Sequence, residues 1–200
     1  MKIIIIGATG TIGKALVQDL QVKHDIIKVG FRRGDYLADI TSKESIEKMY
    51  ERIGSFDAVI STTGDARFGT HRDLNDKDYE YSLNNKLMGQ INLFLIGKKY
   101  AKKSTTFILT SGVLAREPIY GSSIISMINA GLESYVKAVS LELEEHRINI
   151  VSPVFAKETL DLMGYDSTNA ISATKFVKAY KKALEGKDNG KVFDVRDYLK

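Results

Sequence analysis

Three glycines spaced three apart, Gly7, Gly10 and Gly13, follow an unbroken run of four isoleucines, Ile3 to Ile6. The run is β-branched throughout, the composition of a strand buried on both faces. After the glycines, Ile12, Ala15, Leu16 and Leu20 recur at helical spacing. A strand, a glycine turn and a helix in that order aim backbone N–H groups at one point, and the chemistry this serves is recognition of a pyrophosphate. Gly7 permits the tight turn, Gly10 holds no side chain against the phosphates, and Gly13 lets the helix lie close to the strand. A βα turn without a ligand uses the same residue types, but the position between this strand and this helix favours the phosphate site.

Other chemistries are excluded by composition. The chain has no cysteine, so disulfides, thiol catalysis and thiolate metal sites are ruled out. His24, His71 and His146 are scattered without ligand spacing, and no metal site is expected. The net charge of +4 is modest. Lys98, Lys99, Lys102 and Lys103 are expected at one helix end, and Lys178, Lys181 and Lys182 on the outer face of another. Solvated helix surface accounts for them better than nucleic-acid binding does. No apolar run approaches a membrane span. Met1-Lys2 leads directly into the first strand, so no targeting segment is expected, and the cytoplasm is the expected location.

The elements that must position the glycine turn read as one domain over residues 1–200, without linker, repeat or low-complexity segment. Further strands are expected at Asp25–Val29, Tyr36–Asp39, Asp57–Ser61, Thr106–Thr110, Asn149–Val151 and Val192–Val195. Ser42 is placed to cap a helix whose buried stripe is Ile46, Met49, Tyr50 and Ile53. Two long helices are expected, Asp76–Ala101 and Ser122–Glu145, and a last one around Phe176, Val177, Tyr180 and Leu184. Strands alternating with helices imply a parallel α/β sheet covered on both faces, with the ligand crevice at the carboxyl ends of the strands.

Those ends carry a family pattern. Gly7-Ala8-Thr9-Gly10-Thr11-Ile12-Gly13, Ala38-Asp39-Ile40-Thr41 and Asp57 through Gly64 resemble the cofactor half of short-chain dehydrogenases/reductases. Phe107 through Gly112, Asn129-Ala130-Gly131-Leu132, Leu141-Glu142-Leu143 and Arg147 through Pro153 resemble the later half, so the likeness covers nearly the whole chain. It implies a single-domain Rossmann fold with a seven-stranded parallel sheet and a nicotinamide cofactor. The glycine spacing is closer to the atypical or extended branch than to the common one. By the resemblance, Gly7, Thr9, Gly10, Thr11, Ile12 and Gly13 would hold the pyrophosphate. Asp39 and Ile40 would meet the adenine, Ser61, Thr62 and Gly64 its ribose, and Pro153 the nicotinamide side. Arg32 and Arg33 follow the second strand, where a guanidinium selects a 2′-phosphate and a carboxylate selects a hydroxyl. With Asp35 beyond Gly34, on the departing loop, the expected cofactor is NADP rather than NAD.

The catalytic residues depart from the family. Its phenol and lysine stand four apart on one helix face. The alignment places Ile125 and Asn129 there, and none of the ten tyrosines has a lysine four residues on. Ser111 stands near the catalytic serine's place, with Gly112 an equal match; the bland alternative for Ser111 is a small polar strand-end residue. Lys86 falls where the family has an asparagine, with Asn85 just before it. A lysine on an apolar helix face either reaches the crevice and replaces the lost cation, pairs with a carboxylate, or turns to solvent. Tyr120 reads as a packing residue before it reads as a displaced phenol, and Asp65 as loop solvation. Where the family has Pro-Gly and then a threonine, Val154 follows Pro153 and the nearest threonine, Thr159, stands one residue late. Two readings stand: an NADP(H)-dependent oxidoreductase with an altered site, its small-molecule substrate unreadable, or a non-catalytic NADP(H)-binding sensor. An epimerase of the same fold would need the same lost pair. The family's helices also imply a homodimer or homotetramer, to which Ile96, Ile124 and Met127, off the main apolar stripes, would contribute.

Overall fold

The computed structural model describes residues 1–199. The isoleucine run forms β1 (Lys2–Ile6), and the glycine turn delivers the chain into α1 (Thr11–Leu20). There follow β2 (Asp25–Gly30), β3 (Tyr36–Leu37), α2 (Lys43–Ile53), β4 (Phe56–Ser61), α3 (Asp76–Ser82), a π-helical turn (Leu83–Met88) and α4 (Gly89–Gly97). The later half is β5 (Ala101–Thr110), α5 (Ser123–Ser140), β6 (Arg147–Ser152), α6 (Lys157–Met163), α7 (Ala173–Glu185) and β7 (Val192–Asp194). The strands form one seven-stranded parallel sheet in the order β3-β2-β1-β4-β5-β6-β7. The strand order reverses between β1 and β4, and this switch point is where an open α/β sheet leaves its crevice.

Period-2 alternation divides β1 between two cores. Ile4 and Ile6 join the layer built with α2, α4 and α5, while Ile3 and Ile5 face α1 and α7. The close approach of α1 depends on Gly13, because a Cβ there would lie 2.1 Å from the Gly7 carbonyl oxygen. Gly7 itself has φ +87°, a conformation that favours glycine. Ser42 caps α2 as expected, accepting from the Ser45 N–H.

Several expectations are corrected. The third strand stops at Leu37, because the Asp39 side chain accepts from both the N–H and the hydroxyl of Thr41 and turns the chain. The helix expected over Asp76–Ala101 is three segments and ends at Gly97; Ala101 already pairs with Phe56 in the sheet. Lys102 and Lys103 therefore lie in β5, where Lys102 pairs with Asp57 at 2.9 Å, and not at a helix end. The helix expected over Ser122–Glu145 runs only to Ser140. Helix α6 lies between β6 and α7, in a stretch where no helix is expected from sequence. Ile96 and Ile124 are buried within the subunit, leaving only Met127 of that trio exposed.

Candidate active site

Two adjoining cavities run across the carboxyl ends of β1, β4, β5 and β6. One, of about 630 Å³, is walled by Gly7, Thr9, Gly10, Asp39 and Ile40; the other, of about 480 Å³, by Ile12, Lys86, Ser111, Asn129 and Pro153. Thr62, Thr63, Gly64 and Asp65 border both, so the two form one crevice.

The first half fits a dinucleotide phosphate. Gly10 is the N-cap of α1 with no side-chain cap, and the first turn carries no acidic residue. No acceptor in the described chain meets the N–H groups of Thr11 and Ile12, so they are free for an anion at the helix N-terminus. A Cβ on Gly10 would meet nothing but the Gly7 carbonyl, at 3.3 Å, so the space in front of it is open. Thr62 secures the turn: its hydroxyl lies 3.2 Å and 3.3 Å from the carbonyls of Ile6 and Gly7.

Not every expected contact reaches the crevice. Ser61 is fully buried in β4 beneath the crevice floor, and its carbonyl accepts from the Thr110 hydroxyl at 2.6 Å. Thr11 is absent from the crevice lining and lines a separate depression together with Lys14. Gly13 serves helix packing. Arg32 and Arg33 are exposed just outside the first cavity, whose wall there is Gly30 and Phe31; Arg32 lies 5.9 Å from the Phe31 ring centre. Neither arginine has an ion-pair partner among the described residues, whereas Asp35 is turned back onto β2, where it accepts from the Lys28 N–H at 2.8 Å.

In the second half, Lys86 enters from the π-helical turn, a backbone form that recurs at functional sites. It is only 9% exposed, and no hydrogen-bond or ion-pair partner meets its ammonium among the described residues. Burial pulls its pKa from 10.5 down to about 8, with the Asp65 carboxylate opposing weakly. Asp65 is itself engaged by the Tyr81 hydroxyl at 2.7 Å, and its N–H donates to Asn85 at 2.7 Å. The α-carbon and side chain of Lys86 pack on Gly64, where an added Cβ would come within 3.0 Å of them. Ile125 and Asn129 both line the wall, so the positions aligned with the family's phenol and lysine do face the crevice. Tyr120 is 89% exposed and outside the crevice lining.

Ser111 is held differently from a carbonyl-polarising serine. Its hydroxyl donates to the Glu133 carboxylate at 2.9 Å, and Glu133 is gripped by Arg116 through contacts of 2.6 Å and 2.7 Å. With its one proton committed there, Ser111 offers the crevice an acceptor and not a donor. Arg116 also donates to Asp194 at 2.9 Å, and sequence reasoning missed this network because Arg116, Glu133 and Asp194 share no spacing. It missed Gln90 for the same reason. Gln90 is fully buried, donating to the Thr110 carbonyl at 2.8 Å and accepting from the Thr110 N–H at 2.9 Å, and so fixes α4 to the end of β5. Gln90→Met leaves these strand-end groups without their side-chain partner and is expected to cost about 1–3 kcal/mol. Urea unfolding checks this, and an unchanged midpoint would contradict it.

Residues 9–193 match the family model described as enoyl-(acyl carrier protein) reductase. The chain belongs to the short-chain dehydrogenase/reductase superfamily. The Listeria innocua protein lin1944 shares 35% identity with this short-chain dehydrogenase/reductase and a TM-score of 0.93, over 98% of this chain and 99% of that one. A small-chain dehydrogenase solved in complex with NADPH is 25% identical, with a TM-score of 0.87 over 97% of this chain and 95% of its own. Sepiapterin reductase of Chlorobaculum tepidum is 28% identical over 122 residues, 56% of this chain. The match spans only 49% of that reductase's length. Among the described residues no cluster of metal-ligating side chains occurs and no helix is long and apolar enough to cross a membrane.

Proposed function

We propose that this short-chain dehydrogenase/reductase binds NADP(H) along the crevice and reduces a small carbonyl substrate, with Lys86 as the proton donor. The observation that carries the reading is a buried, unpaired lysine in the crevice of a chain that has lost the tyrosine–lysine pair. The bound cofactor supplies the hydride that reaches the substrate carbon. The Lys86 ammonium binds the substrate oxygen, stabilises the charge that develops there, hands it a proton, and regains one from solvent. The free N–H groups of Thr11 and Ile12 hold the pyrophosphate, and Arg32 and Arg33 reach the 2′-phosphate. Titration with NADPH, followed by its consumption against aldehydes and ketones, tests the reading. Binding with very slow turnover of ordinary carbonyl compounds is expected, and absence of binding would overturn it. The sensor reading draws on the lost pair and on the committed Ser111 proton; it predicts binding with no turnover at all.

We also propose a twofold assembly through the outer faces of α4 and α5. Leu95 and Met127 are exposed there, and Met88, at the end of the π-helical turn that leads into α4, is exposed as well. Light scattering at micromolar concentration is expected to show a dimer or tetramer, and Leu95→Glu to return a monomer. A wild-type monomer would contradict the proposal.

A further inference from the structure

The nicotinamide half of the crevice does not end at the reacting centre. Val113, Leu114, Val154 and Phe155 line it and also line a second depression, again of about 480 Å³, whose lining includes Ile119 and Ile171. This annex carries one charged side chain, Glu117, and that carboxylate is taken up by Arg196 at 2.7 Å and 3.0 Å. Its remaining lining is apolar apart from Asn169. Phe68, which lines the crevice, and Phe155, which lines both cavities, bring their rings to 6.4 Å, and the Gly69 N–H donates to the Gly121 carbonyl at 3.0 Å. Yet Phe68 and Ile119 remain 47% and 53% exposed. Apolar side chains left in water around a concave surface whose one carboxylate is ion-paired mark a site shaped for an apolar ligand.

We infer that the annex receives the aliphatic tail of the substrate, whose oxygen-bearing carbon sits at Lys86. The inference rests on the reading of the crevice as the reaction site, and the four wall residues that the annex shares with the Lys86 cavity are what select a tail of the same molecule as the occupant. Straight-chain primary alcohols from butanol to dodecanol serve as probes, titrated calorimetrically with and without NADP. Affinity is expected to rise roughly threefold to fourfold per added methylene. Ala170→Trp fills the annex from a residue that lines it and not the crevice. It is expected to abolish the gain beyond the shorter alcohols while leaving NADPH affinity unchanged. Ile119→Asp, at an exposed position, should do the same. A flat series in a protein that binds NADPH would overturn the annex and spare the cofactor reading. A rising series in a protein that does not bind NADPH would support the annex and sink the cofactor reading. An unaltered rise in Ala170→Trp, or self-association that Ile119→Asp abolishes, would reject the inference, the latter assigning the surface to a second copy of the chain.

Discussion

Lys86→Met is expected to lower the turnover of any substrate by about 10²- to 10⁴-fold while making the protein more stable. The loss follows from removing the one cation that, among the described residues, lines the reacting half of the crevice. The gain follows from burial. The folded-state pKa, about 8, lies below the ordinary value of 10.5, so folding carries a penalty for the ammonium at neutral pH. That penalty is complete below pH 8 and is relieved as pH rises from 8 towards 10.5. Removing the charge should stabilise the fold by an amount on the order of 3 kcal/mol at pH 7. Thermal unfolding at pH 7 and at pH 10 checks both the sign and its fading at high pH. The wild-type reduction rate should be level at neutral pH and fall above about pH 8 as the ammonium is lost. Brisk NADPH oxidation that Lys86→Met leaves unchanged would contradict the proton-donor role, and destabilisation by the same change would contradict the account of its burial.

NADPH is expected to bind more than tenfold tighter than NADH. Arg32 and Arg33 have no ion-pair partner among the described residues and flank the first cavity, and the carboxylate that follows them in sequence, Asp35, is held against β2. A charge-assisted hydrogen bond to a 2′-phosphate contributes about 1.5–3 kcal/mol, so even one such contact yields the preference. Arg32→Ala and Arg33→Ala should each erode NADPH affinity and leave that for NADH untouched. Calorimetric titration of both cofactors decides it; equal affinities in the wild type would reject the assignment.

Local chemistry made part of this molecule readable from its residues. The isoleucine run, the glycine turn and α1 lie within twenty residues, and propensity, periodicity and turn geometry agree at each. Lys86 was legible because a charge on an apolar helical face conflicts with its surroundings. The rest was decided by partners distant in sequence. The chain leaves its helix at Gly97 because Ala101 finds Phe56 in the sheet, and no feature of residues 97–101 alone announces it. The family pattern places Ser61 at the ribose, but Ser61 is fully buried in β4, its carbonyl bonded to the Thr110 hydroxyl of β5. The Ser111 hydroxyl is turned inward by Glu133, 22 residues away. Phe68 and Phe155 come from loops after different strands, and their meeting over the crevice leaves no trace in sequence spacing.

A crystal structure of the NADP complex tests the assignment of Lys86. The pyrophosphate is expected on the N–H groups of Thr11 and Ile12, the 2′-phosphate against Arg32 or Arg33, and the nicotinamide ring in the half-crevice that Lys86 lines, with the Lys86 ammonium within hydrogen-bonding reach of an oxygen bound at the reacting carbon. A cofactor bound elsewhere, or a nicotinamide ring with Lys86 turned away from its reacting face, would contradict it.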